Sequence, residues 1–496
     1  MNPEQPHSVP SLDRKLAGGL AWAAGAKSVT QFFSWMLTLI TARLLSPADF
    51  GMVNMAGFIS VAASMLAEFG LGQAVLQMPE LEAGVIAQLN TACVAICTVG
   101  YGLVVLAAPL VAAFFKSSQV QMLVIVNSIS LILTGFQSVP YGLLEKDLDY
   151  ARLSICESLT VLVQSAVTVG MALSGFAYWS LVGGALAGRV VGTVLTFYWK
   201  PVPFAWPRWQ QIRAPVRLGG HIAVSRIAFT AYTMSDGVIV GRELGGAALG
   251  AYQMAMSLAN APAEKIGLLV MRVTGPLFAR VQKDQELVRR YVKIISEALS
   301  LSVFPVLLGL AVTADAVRLL LGPKWNAAAG PIRWLAVYMC ARTLSTLFSQ
   351  VLTSLRQTRF NMIVSLISFV VMPGAFFIAC RWGTSAVAAC WLILAPITVL
   401  PLATRLLRTI GMRHREYLVV LMPAVTGCAV MVAIVLGAHF LLGTRHVPAV
   451  VRLAVEVAVG AVSYLGFLWL FCREKLDRYI RFLLGLRRGQ EVLTEA

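Results

Sequence analysis

Leu16 to Ala42 reads LAGGLAWAAGAKSVTQFFSWMLTLITA, 27 residues with one charge, Lys27, near the middle. As a helix rising about 1.5 Å per residue it spans roughly 40 Å, enough to cross a bilayer. Lys27, Gln31, Ser34, Thr38 and Thr41 follow at spacings of 4, 3, 4 and 3, so all five share one helical face. An ammonium at mid-depth costs about 2.5–3.5 kcal/mol on insertion scales. This face is therefore expected to line a wet cavity or a helix seam, not lipid.

The stretch has a second copy. A shift of 199 residues lays Lys27 on Arg226, Gln31 on Thr230 and Ser34 on Thr233. It also lays ARLLSPADFGMVNMA, from Ala42, on GRELGGAALGAYQMA, from Gly241, with six of fourteen positions identical between Arg43 and Ala56. Apolar residues match easily by chance, so Arg43/Arg242 and Gly51/Gly250 carry most of the weight. Internal duplication that repeats a cation at mid-membrane is a common way to build a transport site between two halves.

At 496 residues, 58% hydrophobic and 13% charged, the chain is too apolar for a soluble protein and is expected to be an all-α polytopic membrane protein. Met1 to Pro10 is polar and carries no signal-peptide pattern. The net charge of +17 belongs with cytoplasmic loops and a basic interior, and no nucleic-acid partner is expected. All eight cysteines lie in apolar segments or at their ends, where they read as small buried hydrophobes.

Hydrophobic runs between Pro, Gly or charged breaks predict fourteen helices: 16–42, 50–76, 84–114, 119–143, 153–173, 178–199, 214–240, 246–278, 294–317, 327–353, 360–380, 385–404, 417–442 and 449–472. Pro109, Pro305, Pro373 and Pro396 fall inside spans and are expected to bend them. With the N-terminus inside, cytoplasmic segments hold 25 Lys and Arg against nine outside, which obeys the positive-inside rule and places both termini in the cytoplasm. The proline-rich KPVPFAWPRWQQIR, 200–213, reads as a cytoplasmic connector between two pseudo-symmetric six-helix bundles, 16–199 and 214–404. A cytoplasmic N-terminus (1–15), two further helices within 417–472 and a cytoplasmic tail (473–496) complete the expected domain plan.

Six basic residues stand inside spans: Lys27, Arg189, Arg226, Lys265, Arg272 and Arg342. Their candidate acidic companions are Glu68, Glu157, Asp236, Glu264 and Glu456, so the interior is net basic and favours an anionic passenger. Lys27 and Arg226 are the leading cavity residues, followed by Arg189 and Arg272. Gln31, Ser34, Thr38, Thr230 and Thr233 are placed to hydrogen-bond sugar hydroxyls. The bland alternative pairs these cations with Glu68, Glu157 or Asp236 as helix pins. Asp236 is equally open to a role in coupling transport to protons or sodium, with Glu68 and Glu157 as further carboxylates for that role. Arg43 and Arg242 read as helix-end anchors.

The segments ARLLSPADFG (Ala42 to Gly51), FGLGQAVLQ (Phe69 to Gln77) and TGPLFARVQKD (Thr274 to Asp284) resemble the Wzx-type oligosaccharide flippases, the polysaccharide transporters of the multidrug/oligosaccharidyl-lipid/polysaccharide (MOP) superfamily. The resemblance implies two six-helix bundles plus two helices in the bacterial inner membrane. It implies as cargo an undecaprenyl-pyrophosphate-linked sugar repeat moved to the periplasmic leaflet for exopolysaccharide, capsule or O-antigen assembly. Functional neighbours would be glycosyltransferases and a polysaccharide polymerase. Basic residues on the first helix of each bundle face the cavity in such flippases, and Lys27 and Arg226 occupy those places. Here the first bundle carries Lys rather than Arg, which removes the bidentate phosphate fork on that side.

Two other function classes fit the sequence less well. A drug exporter of the same fold fits poorly with a net-basic interior. A membrane glycosyl- or acyltransferase needs a catalytic cluster, and only Asp147-Leu148-Asp149, in a charged loop, has a suggestive spacing. No Walker or full GxGxxG pattern follows Gly70 and Gly72, and the five histidines stand at no ligand spacing. Neither an enzyme nor a cofactor or metal is expected.

Overall fold

Helix α1 (Met36–Leu44) ends where the chain turns by 112° into α2 (Pro47–Ala67). The sequence Ser-Pro-Ala-Asp makes that turn. Asp49 Oδ2 accepts from the Ser46 amide at 2.8 Å and from Ser46 Oγ at 2.6 Å, while the Asp49 amide donates back to Ser46 Oγ at 3.3 Å. This is a reciprocal cap on a helix that opens with proline, whose missing N–H would have no partner there. The structure is a computed structural model that describes residues 33–34, 36–67, 82–208, 210, 213, 233–443 and 448–471.

Along the chain follow α3 (Ala83–Phe114), α4 (Ser118–Lys146, stepped at Ser128), α5 (Tyr150–Leu173) and α6 (Trp179–Trp199). Then come α7 (Ser235–Val281), α8 (Gln285–Val312), α9 (Asn326–Ser354) and α10 (Thr358–Ala379). The last are α11 (Thr384–Thr409, stepped at Leu394), α12 (His414–Gly443) and α13 (Ala449–Phe471). Among the described residues ten helices are long and apolar enough to cross a membrane, or eleven if the bent α1–α2 pair is one span. Those ten coincide with ten of the fourteen expected spans. The expected spans 16–42, 50–76 and 214–240 run partly outside the described residues, and 246–278 lies within α7. The helix continues through Pro109, Pro305 and Pro373, whereas Pro396 opens the second segment of α11.

The second copy repeats the bend with different chemistry. α7 is interrupted at Gly245, which takes φ 84° and ψ 179°. Gly245 lies 199 residues after Ser46, so capped serine–proline in one copy is matched by a left-handed glycine in the other.

The chain divides into two compact units, Met1–Gly250 and Ala251–Ala496. In the first, α3 packs on α4, α4 on α6, and α5 along α6; in the second, α8 packs on α9, α9 on α11, and α10 on α11. α12 packs against α8 and α13. Matching features beyond the third helix stand 208 apart: the starts of α4 and α9, the left-handed Leu148 (φ 56°) and Arg356 (φ 60°), and Gly175 (φ 83°) and Gly383 (φ 88°). The offset grows from 199 to 208 because the second unit carries an insertion before α9. It folds as a 3-10 turn, Ala314–Ala316, a one-turn helix, Val317–Leu321, and a second 3-10 turn, Pro323–Trp325, pinned by the fully buried Trp325.

The seam between α5 and α6 is made by small residues. Ser180, Gly184, Gly188, Gly192 and Thr196 recur every fourth position on α6, and all are buried. The missing side chains let α5 approach its partner's backbone, the close packing used where lipid offers no hydrophobic drive. The connector after α6 is strapped to the start of α3: the Arg208 amide donates to Gln88 Oε1 at 2.8 Å and the Ala205 amide to Thr91 Oγ1 at 3.1 Å. Trp206 stays 88% exposed, as suits the headgroup layer. Cys93 and Cys97 sit in the core with Leu89, Ala92, Val139 and Val202 and pack there as small hydrophobes.

Candidate functional site

Of the residues that the sequence marks for a cavity, Lys27, Gln31, Glu68, Arg226 and Thr230 lie outside the described residues, as does the side chain of Arg272, whose backbone is in α7. Ser34 is half-buried, and its carbonyl accepts from the exposed Thr38 hydroxyl at 2.7 Å. Thr233 is half-buried just before α7, and Asp236 in its first turn is 3% exposed, with Oδ1 accepting from the Gly237 amide at 2.7 Å. A carboxylate at a helix start meets unpaired amides and the positive end of the dipole, which makes its burial tolerable.

Arg189 is half-buried on α6. Glu157 is exposed on α5 and accepts from Tyr141 Oη on α4 at 3.0 Å. Glu264 accepts from Asn260 one turn earlier in α7. Asp147 and Asp149 belong to a turn: Asp147 pairs with Lys200 at 2.5 Å, and Asp149 caps α5 by accepting from the Arg152 amide at 3.2 Å. That geometry assigns the Asp-Leu-Asp spacing to a structural corner.

The described helices bring forward a residue that the sequence reading counted but did not place in a site. Arg342, twelve residues before the end of α9, is half-buried within a membrane-length helix. Among the described residues its guanidinium has one polar contact, with Met339 Sδ at 3.8 Å, and no carboxylate partner. Glu297, twelve residues after the start of the antiparallel α8, stands at the same depth and escaped the sequence inventory altogether. The spacing 342, 346, 349, 353 was the available signal, since it repeats the alternation of threes and fours that singled out Lys27.

Arg342 heads a polar face. Ser345, Thr346, Ser349 and Thr353 share its side of α9, and none is buried. The Thr346 hydroxyl donates to the Arg342 carbonyl at 2.9 Å and the Thr353 hydroxyl to the Ser349 carbonyl at 2.8 Å. Positions 208 earlier, on α4, hold Thr134, Gln137, Ser138, Tyr141 and Glu145, so polarity is kept in both copies while the cation belongs to the second alone.

The last two helices hold another charged group. Glu456 Oε1 lies 2.8 Å from His439 Nδ1 and accepts from Arg452 Nε at 3.1 Å, with Glu456 only 5% exposed. Nearby, an open cleft of about 710 Å³ is lined by Asp315, Arg333, Trp334, Ser385, Leu436 and His439, with Arg333 paired to Asp315 at 2.7 Å. Among the described residues no three His, Cys, Asp or Glu side chains form a metal-ligand group.

Comparison with known proteins agrees in kind. Residues 40–330 match the family described as Polysaccharide biosynthesis protein. The chain is 24% identical over 442 residues to the Lipopolysaccharide biosynthesis protein WzxC of Escherichia coli (strain K12), covering 82% of this chain and 84% of that one. It is 25% identical over 494 residues to the Succinoglycan biosynthesis transport protein ExoT of Rhizobium meliloti (strain 1021), covering 97% and 98%. In fold it is similar to a Lipid II flippase MurJ in an inward closed conformation, with TM-score 0.72, 13% identity and coverage of 90% of this chain and 99% of that one. The family match spans more than half of the 496 residues. The chain therefore belongs to the polysaccharide biosynthesis protein family, as a multi-pass membrane protein related to the Wzx/MOP polysaccharide-transport superfamily.

Proposed function

We propose that this protein is a flippase of the bacterial inner membrane that moves a polyprenyl-pyrophosphate-linked oligosaccharide from the cytoplasmic to the periplasmic leaflet for polysaccharide assembly. A pyrophosphate cannot cross hydrocarbon unaided, so the protein must offer compensating charge at depth and open to one side at a time. Lys27 and Arg226 supply that charge, Arg189 and Arg272 add to it, and Gln31, Ser34, Thr38, Thr230 and Thr233 bind sugar hydroxyls. The fold reading that goes with this is fourteen spans, in two six-helix halves, 16–199 and 214–404, followed by two further helices.

The observation that carries the reading is similarity along 97% of the chain to a succinoglycan biosynthesis transport protein. The repeated bends at Ser46 and Gly245 support the two-half plan. A multidrug transporter of the MOP superfamily shares the fold at TM-score 0.57, but a net-basic interior repels cationic drugs. Deleting the gene should leave the lipid-linked unit built and facing the cytoplasm, read by its accessibility to an impermeant glycosidase in spheroplasts. Lys27→Ala and Arg226→Ala should reproduce that accumulation with protein still in the membrane. A unit that is never built, or normal polysaccharide from both variants, would refute the reading.

A further inference from the structure

We propose that the half of α9 from Arg342 to Thr353 is a water-lined binding face for an anionic, hydroxyl-rich ligand, with Arg342 holding the anionic group and Thr346 and Ser349 meeting sugar hydroxyls. That the ligand is a lipid-linked sugar rests on the function proposed above; that the face is wet and binds anions does not.

The argument starts from what each helix leaves uncovered. α10 exposes Met362, Leu366, Val370 and Phe377, between 53% and 74%, and α12 exposes Leu418, Val419 and Met422, between 52% and 62%. Those faces suit hydrocarbon. α9 buries Leu335, Met339, Leu347 and Phe348 in its own unit and leaves Arg342, Ser345, Thr346, Ser349 and Thr353 unburied. At about 100° per residue these five positions fall within an arc of about 100°. A guanidinium with no carboxylate among the described residues is strongly disfavoured against lipid, and the arc it heads is left unburied, which points to water.

The donor and acceptor pattern names the ligand class. Arg342 offers only donors, in the planar fork that matches phosphate or carboxylate. The Thr346 hydroxyl proton is already given to a backbone carbonyl, so its oxygen is left as an acceptor for a sugar hydroxyl. Asn361 Nδ2 steadies the end of the row by donating to the Ser349 carbonyl at 2.8 Å and to Thr353 Oγ1 at 3.0 Å. The anionic group is therefore a pyrophosphate or an acidic sugar, bound at the depth of Arg342 with hydroxyls toward Thr353.

Cysteine accessibility tests this on the full-length protein in membrane vesicles. Thr346→Cys and Ser349→Cys should react with an impermeant methanethiosulfonate several-fold faster than Leu366→Cys, above the labelling of the native protein. Millimolar inorganic pyrophosphate or glucuronate should slow Thr346→Cys labelling; protection by pyrophosphate alone assigns the linkage, and by glucuronate alone an acidic sugar. Adding Arg342→Gln should abolish the protection, and Arg342→Lys should keep part of it. Labelling no faster than at Leu366→Cys, or protection by neither anion, overturns the inference. Labelling and protection in a protein whose deletion leaves polysaccharide normal would keep this inference and sink the flippase reading.

Discussion

Gly51 and Gly250 lie in one helix crossing, and the crossing is its own copy. A Cβ on Gly51 would stand 1.7 Å from the Gly246 carbonyl oxygen, and a Cβ on Gly250 would stand 1.8 Å from that of Pro47. Pro47 and Gly246 are 199 residues apart, as are Gly51 and Gly250. The patch on one helix therefore meets its own repeat, as two identical subunits do across a two-fold axis. Within the first unit this ties the opening turn of α2 to α7 just beyond the break at Gly245.

Gly51→Ala and Gly250→Ala should each be strongly destabilising. The added methyl would sit inside a backbone carbonyl, which cannot swing aside as a side chain can, so the helices must part. The cost should be about 3 kcal/mol or more, the upper end of overpacking. Gly84 and Gly102 have nothing within 4 Å of an added Cβ, so Ala there should be neutral or stabilising by up to about 1 kcal/mol. Thermal melts of the purified protein in detergent compare the pairs; equal melting temperatures for Gly51→Ala and Gly84→Ala would mean that the crossing adds no stability.

That crossing also explains how much of the fold can be read in advance. The repeat is legible between Arg43 and Ala56 because the glycines there have no substitute. It fades beyond α8 because the insertion before α9 moves the offset to 208, and nothing in an apolar span marks its register. Ten spans are legible because a bilayer demands about 20 apolar residues, a run that tolerates few disguises. The site is another matter. Lys27 and Arg226, on which the sequence reading rests, lie outside the described residues, while Arg342 gains its meaning only from which face of α9 its neighbours leave bare. Burial is a tertiary property, and spacing alone cannot supply it.

The α5–α6 seam yields a paired prediction on adjacent glycines. A Cβ on Gly184 would stand 1.9 Å from Thr168 Oγ1 and 2.7 Å from the Gln164 carbonyl oxygen, so Gly184→Ala must separate the helices, at about 2–3 kcal/mol. A Cβ on Gly183 meets only the Met171 thioether, at 2.5 Å from Sδ, and that flexible side chain can move away. Gly183→Ala should then cost under about 1 kcal/mol. Similar losses of thermal stability in both variants would show that the seam is looser than its geometry.

In the second unit Trp391 is clasped by three helices. It stacks on Tyr338 of α9 at 5.2 Å, tilts against Phe376 of α10 at 5.0 Å, and donates its indole N–H to Tyr252 Oη of α7 at 3.1 Å. Tyr252 is fully buried and Trp391 is 4% exposed, so water cannot replace the acceptor. Tyr252→Phe should cost about 1–2 kcal/mol, and Trp391→Phe about 2–3 kcal/mol because ring volume is lost as well. The two losses should not add in the double variant, since both delete the same bond. Strict additivity in chemical or thermal unfolding would mean that the bond contributes nothing.

Glu456 fastens the last two helices and should be the most sensitive carboxylate of that pair. Its Oε1 serves both His439 of α12 and Arg452 one turn earlier in α13, and the Arg452 guanidinium also donates to the His439 carbonyl at 3.2 Å. The carboxylate is 6% exposed, whereas Arg452 is 28% and His439 is 38% exposed, so water screens the partners but not the centre. Removing the centre leaves a cation without its counter-ion beside a histidine. Fully buried pairs lose 3–5 kcal/mol when broken, and partial exposure of the partners should reduce this to about 2 kcal/mol for Glu456→Ala. Glu456→Gln keeps the shape and one acceptor, and should cost about 1 kcal/mol. Replacing Arg452 and Glu456 together by Met and Leu should recover most of the loss, because the unpaired charge disappears with its partner. Melting temperatures of the three variants in one detergent give the ranking; a double replacement as unstable as Glu456→Ala would mean that packing, not the charge, holds α13 on α12.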